Sequence, residues 1–189
     1  MIHRIALALC LIATQIATQA AAAPEAYRLD TARSSVGFTY TLGPAETAGT
    51  MPVRSAEMWI DLANPSASRV TVTLDASRAR AGVFFATEAM RGPQVLDTAR
   101  HPSITFRSTR ITGTLQAARV EGLVTLRGTT RPITLDAGLY RQRGTDVDDL
   151  DHLTVLLTGQ IDRHDFGASG FAELVGPLID LRIMARIGR

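Results

Sequence analysis

Past the first two dozen residues, the side chains best suited to hold a metal are His101, His152, His164 and a run of four aspartates, Asp146, Asp148, Asp149 and Asp151. No histidine stands at metal-ligand spacing from another His, Glu or Cys, so a zinc site is not expected. The aspartate run has Leu150 where a calcium loop needs a ligand, no central glycine and no closing glutamate, and it reads as a solvated hairpin tip. Arg163-His164-Asp165-Phe166-Gly167 has the lettering of a kinase magnesium loop, but the phosphate loop, the lysine and the length of a kinase are missing. Gly167-Ala168-Ser169-Gly170 falls one residue short of a nucleophile elbow. No catalytic residue, metal ligand or cofactor is assigned, and the protein is expected not to be an enzyme; a hydrolase built on Ser169 is the minor alternative.

Cations are the remaining chemistry. Arg91, His101, Arg127 and Arg131 fall in expected loops or strand ends, where a guanidinium or imidazolium could meet a phosphate head group. Ordinary solvated surface charge is the competing reading. The chain has 20 basic and 18 acidic residues, every basic one an arginine, spread singly along it. Nucleic-acid binding needs basic residues clustered on one face with aromatics between them, and that pattern is absent from the sequence.

Arg4, the apolar run from Ile5 to Ile16 and the alanines Ala20 to Ala23 have the three regions of a secretory signal. The cut is placed after Ala22, with Ala20 as the alternative, so residues 1–22 are a signal peptide and 23–189 one domain. The run is too short to span a bilayer, which takes about 20 apolar residues, and nothing later is longer. Cys10, the only cysteine, leaves with the signal, which excludes disulfides and thiolate chemistry from the mature protein. The expected compartment is the periplasm or the exterior.

The elements that would position any site have a period of two. Val70, Val72, Leu74 and Ala76 alternate with Thr71, Thr73 and Asp75, and Ile133, Leu135, Ala137 and Leu139 with Thr134, Asp136 and Gly138. Ile104 and Phe106 repeat the pattern, as do Leu181, Ile183, Ala185 and Ile187. Further strands are expected over 35–42, 53–62, 120–127 and 152–162, making eight segments. Arg80 to Leu96 lacks alternation and reads as a short helix followed by a loop. Eight one-sided antiparallel strands close either as a two-layer sandwich or as a barrel, and periodicity alone does not separate the two.

Several stretches resemble the YceI-like family in the family's own order. They are Tyr27-Arg28-Leu29-Asp30 with Ser34-Ser35-Val36-Gly37-Phe38, then His101-Pro102-Ser103-Ile104-Thr105-Phe106-Arg107-Ser108-Thr109, then Gly122-Leu123-Val124-Thr125-Leu126-Arg127-Gly128-Thr129-Thr130-Arg131-Pro132, then Arg163-His164-Asp165-Phe166-Gly167. The family's His-x-Gly stretch after the first strand is replaced here by Leu42 to Val53, and its Arg-Asp-x-x-Leu helix by Glu88 to Asp97.

The resemblance implies an all-β, antiparallel, eight-stranded lipocalin-like β-barrel with one short helix, holding an amphiphilic isoprenoid lipid of the quinone or prenyl phosphate class for transport, storage or sensing in the cell envelope. Tail contacts are expected from Phe38, Met58, Ile60, Phe84, Phe85, Phe106, Leu126 and Val155, and head-group contacts from Arg91, His101 and Arg127. The bland alternative for each apolar residue is packing in a filled core. Trp59, beside Met58 and Ile60, should point the other way. Transient membrane contact and a homodimer are left open, and a structural or adaptor barrel acting through its surface is the rival role.

Overall fold

A computed structural model describes residues 23–146 and 148–189; the expected signal peptide, 1–22, lies outside the described residues. The strands, in chain order, are β1 (Glu25–Leu29), β2 (Ser35–Leu42), β3 (Ala45–Met51), β4 (Val53–Ile60), β5 (Arg69–Asp75), β6 (Ser103–Gly113), β7 (Ala118–Leu126), β8 (Thr129–Arg141), β9 (His152–Asp162) and β10 (Val175–Gly188). Among the described residues one α-helix, α1 (Phe84–Arg91), lies between β5 and β6, inside the segment read as helix and loop.

All neighbouring strands pair antiparallel, and β1 closes the sheet by pairing with β4 on one side and β10 on the other. Ten strands occupy eight positions around the barrel. β1 takes Ile187 and Gly188 of β10, whereas β2 takes the rest of that edge from Met184 back to Val175. The next position is likewise shared, by β4 beside β1 and by β3 beside β2. Pro52 separates β3 from β4, as expected of a residue that cannot donate to the ladder.

The eight expected segments correspond to β2 and β4 through β10. β1 and β3 are additional, and β3 occupies the stretch that departs from the family pattern. Its sequence, Ala-Glu-Thr-Ala-Gly-Thr-Met, has few large apolar side chains to carry a period-two signal. Register explains the composition: Gly49 stands opposite Phe38, and a β-carbon built on Gly49 would lie 2.2 Å from Phe38 Cζ. A larger residue there would collide with the ring.

Alternation determines which side chains enter the barrel. On β7, Val120, Gly122, Val124 and Leu126 are buried while Arg119 and Leu123 are exposed. β7 and β8 are joined by Arg127 and Gly128 alone, with φ of 51° and 75°, the two positive angles that a two-residue primed turn requires. Antiparallel order puts α1, this turn, the β2–β3 turn and the β9–β10 connection at one end of the barrel. The β4–β5, β6–β7 and β8–β9 connections are at the other.

Candidate functional site

All but Tyr40 and Ala81 of the buried apolar side chains among the described residues fall into two separate clusters. One contains Ile104, Ile111, Val120, Leu126, Ile133 and Leu135 from β6 to β8 and continues into the α1 end through Ala79, Leu96, Phe166 and Ala168. The other gathers Tyr27, Met58, Leu153 and Ile187, with Ile60, Val70 and Val155 against them. A cavity of about 240 Å³ is walled by members of both clusters. The interior is therefore hollow between two packed walls.

Its lining is almost wholly hydrocarbon. Among the described residues only Ser34 and Ser68 bring polar side chains to it, and both are engaged by backbone. Ser34 Oγ donates to the Asp30 carbonyl at 2.6 Å and accepts from the Arg186 amide at 2.9 Å. Ser68 Oγ accepts from the Asp61 amide at 2.9 Å. Such a space lowers the free energy of a hydrocarbon and offers no group for bond making or proton transfer.

Met58, Ile60, Phe106, Leu126 and Val155 all border the cavity, brought together from β4, β6, β7 and β9. Phe38 is on the inward face with Val36 and Tyr40, yet its ring lies against Gly49 with its centroid 6.1 Å from that of Tyr40 and does not border the cavity. Phe84 and Phe85, also expected in the lumen, do not border the cavity. They are 82% and 67% exposed at the start of α1. The 80–96 segment lacks alternation, so the sequence carries no information about which face of this one-off helix looks inward. Trp59 is 53% exposed, opposite buried Met58.

The three head-group candidates are all at the α1 end, and none of them borders the cavity. Arg91 donates through Nε and Nη2 to the Ala79 carbonyl, at 3.1 and 2.8 Å. Arg127 donates through Nη2 to the Pro93 carbonyl at 2.7 Å and through Nη1 to the Gly167 carbonyl. His101 lies against Gly128, whose built β-carbon would be 3.0 Å from the imidazole Cε1. These arginines thus fasten the cap: the 79–102 segment and the connection after β9 are pinned to the β7–β8 turn.

Arg163, not singled out beforehand, is the strongest of these fasteners. Its side chain is 4% exposed and donates to the carbonyls of Ala168, Gly170, Val175 and Gly176. Burial pushes its pKa below the usual arginine value, partly offset by Asp162. The cue available in the sequence was the Arg-x-Asp-Phe-Gly turn itself. Gly167 follows with φ 70° as the turn's left-handed residue.

Rim residues also escaped the periodicity reading. Pro65 and Ser68 of the β4–β5 connection and Leu115 of the β6–β7 turn border the cavity at the end away from α1, and loop positions have no alternation to reveal them.

The same architecture recurs in solved structures. BcnA of Burkholderia cenocepacia superposes with a TM-score of 0.73 at 19% identity, covering 84% of this chain and 98% of that one. A polyisoprenoid binding domain from Saccharophagus degradans gives 0.61 at 14% identity, covering 86% and 97%. Among curated proteins, Protein YceI of Escherichia coli O157:H7 is 31% identical over 101 residues, 53% of either chain. A UPF0312 protein of Pectobacterium carotovorum is 33% identical over 82 residues, 43% of either chain. The match thus spans about half the length of these curated relatives. The family model for the YceI-like domain aligns with residues 27–187, from the first residue of the second buried cluster to its last, and on that match the chain belongs to the YceI-like family.

Proposed function

We propose that the lumen holds the hydrocarbon tail of an amphiphilic isoprenoid lipid, of the quinone or prenyl phosphate class, for transport, storage or sensing in the cell envelope. The observation that carries this reading is the apolar cavity between two packed walls. Each methylene taken from water into such a space contributes about 0.8 kcal/mol, so a prenyl tail binds through its length without any polar contact. A solved relative described as a polyisoprenoid binding domain supports the same ligand class here.

At about 240 Å³ the cavity is smaller than the roughly 300–1,000 Å³ of drug-sized sites. A long tail therefore enters by shifting lining side chains, and Met58 and Met184 on the wall are the unbranched, adaptable ones. The protein acts by binding, with no chemical step and no cofactor beyond the lipid. It does so after export, in the periplasm or outside the cell.

The test is extraction of the purified protein with organic solvent followed by mass spectrometry. About one equivalent of an isoprenoid lipid is expected, with the emptied protein taking up a quinone or prenol from detergent. Release of no lipid, together with no uptake, overturns the reading.

A further inference from the structure

The barrel wall is interrupted on one side. β1 pairs with β10 only through Arg28–Gly188 and Leu29–Ile187, and β2 joins β10 at Ser35–Met184. Five residues, Asp30 to Ser34, therefore stand against the two positions left on β10, Ala185 and Arg186. The excess cannot lie in the sheet, and Thr31, Ala32 and Arg33 are exposed. On the other side of the break, β1 leaves β4 after Tyr27–Met58, although β1 runs on to Leu29 and β4 reaches back to Val53. The next ladder there starts at Val36–Met51, between β2 and β3. Val53 and Ser55 to Glu57 are thus paired on the β5 side alone.

The cavity reaches this break. Leu29, Ser34, Val36, Val53, Ala56 and Met184, which frame it, all border the cavity. Alternate residues of an intact strand face opposite ways, yet the consecutive residues Ile183, Met184 and Ala185 all line the space. It therefore extends past the plane of the wall at this height.

Both ends of the barrel are better fastened. At the α1 end Leu96, Phe166 and Ala168 belong to one packed cluster with the lumen residues Ile104 and Leu126. At the other end the Asp61 carboxylate accepts from the amides of Ala63 and Asn64 at 2.9 and 2.7 Å, and the Tyr27 hydroxyl donates to the Leu150 carbonyl at 2.9 Å. Thr31, Ala32 and Arg33, by contrast, bond only within 30–34 among the described residues. The strap is held to β10 by the Asp30 amide, which donates to the Arg186 carbonyl at 2.8 Å, and by Ser34 Oγ, which accepts from the Arg186 amide at 2.9 Å. A single hydroxyl takes the place of a ladder. Arg186 Nε is itself buried without a partner among the described residues, a donor that gains a hydrogen bond when water enters.

We propose that the lipid tail enters and leaves the lumen sideways, through the break between β1 and β2, with Asp30 to Ser34 as the gate and Ser34 as its latch. Sideways passage leaves both fastened ends intact. The inference rests on the lipid-binding reading and adds the route by which the ligand reaches its site.

Uptake of tritiated geranylgeraniol from detergent micelles by the lipid-free protein, and its release into excess micelles, test the gate. In S34A both should speed up about fivefold, the worth of one hydrogen bond, with circular dichroism confirming the fold. A second variant tightens the gate: A32C/S55C, in a Cys10→Ser background, bridged across the break by a flexible bismaleimide. It should exchange the prenol slower by about tenfold or more than the same protein capped with N-ethylmaleimide. Unchanged rates in both variants overturn the proposal. Slower uptake in the rim variant L115W, with no effect of S34A, assigns entry to the end of the barrel and overturns it as well. No prenol bound by the unaltered protein fails the lipid-binding reading, and the gate with it, whereas full binding with unchanged rates fails the gate alone.

Discussion

The Phe106 ring lies across Gly122, so near that a β-carbon built on the glycine would stand 2.4 Å from Phe106 Cε2. Phe106 and Gly122 are diagonal neighbours on the inward faces of β6 and β7, since Phe106 pairs with Val124 and Ser108 with Gly122. Phe38 and Gly49 form a similar couple across β2 and β3, there directly opposite each other. In both cases the missing side chain lets an aromatic ring lie along the wall instead of crossing the lumen. A β-barrel of eight strands is close to the size at which its own side chains fill it, and these glycines help to keep this one hollow.

The first prediction follows from that geometry. Gly122→Val pushes the Phe106 ring off the wall into the cavity, which should reduce co-purifying lipid well below one equivalent. The overpacking costs about 1–3 kcal/mol in denaturant unfolding. Lipid content unchanged in a folded G122V protein would mean that Phe106 does not border the ligand.

Plugging the lumen directly separates wall from surface. Val155→Trp, on β9 at the cavity border, should abolish lipid content while the barrel stays folded. F84S/F85S should leave lipid stoichiometry untouched, since both rings are exposed and neither borders the cavity. Mass spectrometry of extracts from the two variants reads both outcomes. Equal lipid loss would return these phenylalanines to the binding site.

Arg163 donates to four carbonyls of the β9–β10 connection and the start of β10. Arg163→Met removes the donor from one buried and three part-buried bonds, and the expected loss is about 1–3 kcal/mol of unfolding free energy. Arg163→Lys should recover only part of this, because one ammonium cannot span the fork of a guanidinium. Urea unfolding of both variants checks the order.

Burial pushes the Tyr40 hydroxyl above its ordinary pKa, and the group donates to the Ala81 carbonyl at 2.7 Å. The folded protein therefore keeps this proton at a pH where the unfolded chain gives it up. The stability so contributed is complete below about pH 10 and lost as pH rises through the folded pKa. Tyr27 shifts in the same direction, mainly by burial, with Arg189 opposing. Tyr40→Phe should cost about 1 kcal/mol at neutral pH and flatten the alkaline limb of the stability curve. An unaltered alkaline limb in Y40F would assign the loss to other groups.

Strand identity and inward facing were legible in the chain because a strand repeats every two residues, whatever it pairs with. That is why Met58, Ile60, Phe106, Leu126 and Val155 could be named and Trp59 turned outward. β3 was not legible, because its inward residue Gly49 is defined by the ring it must clear on β2. The exposure of Phe84 and Phe85 was not legible, because hydrophobicity does not state which side of an isolated helix faces the core. The partners of Arg127 were not legible either: the carbonyls it reaches are 34 and 40 residues away in sequence, and a carbonyl is present at every residue, so nothing local marks those two as partners. Local periodicity, then, was enough for the all-β class and for the oily inner face. Closure of the ring by β1, the separation of the two packed walls and the roles of the charged groups arise only when distant segments meet, since each depends on what stands opposite a residue and not on the residue itself.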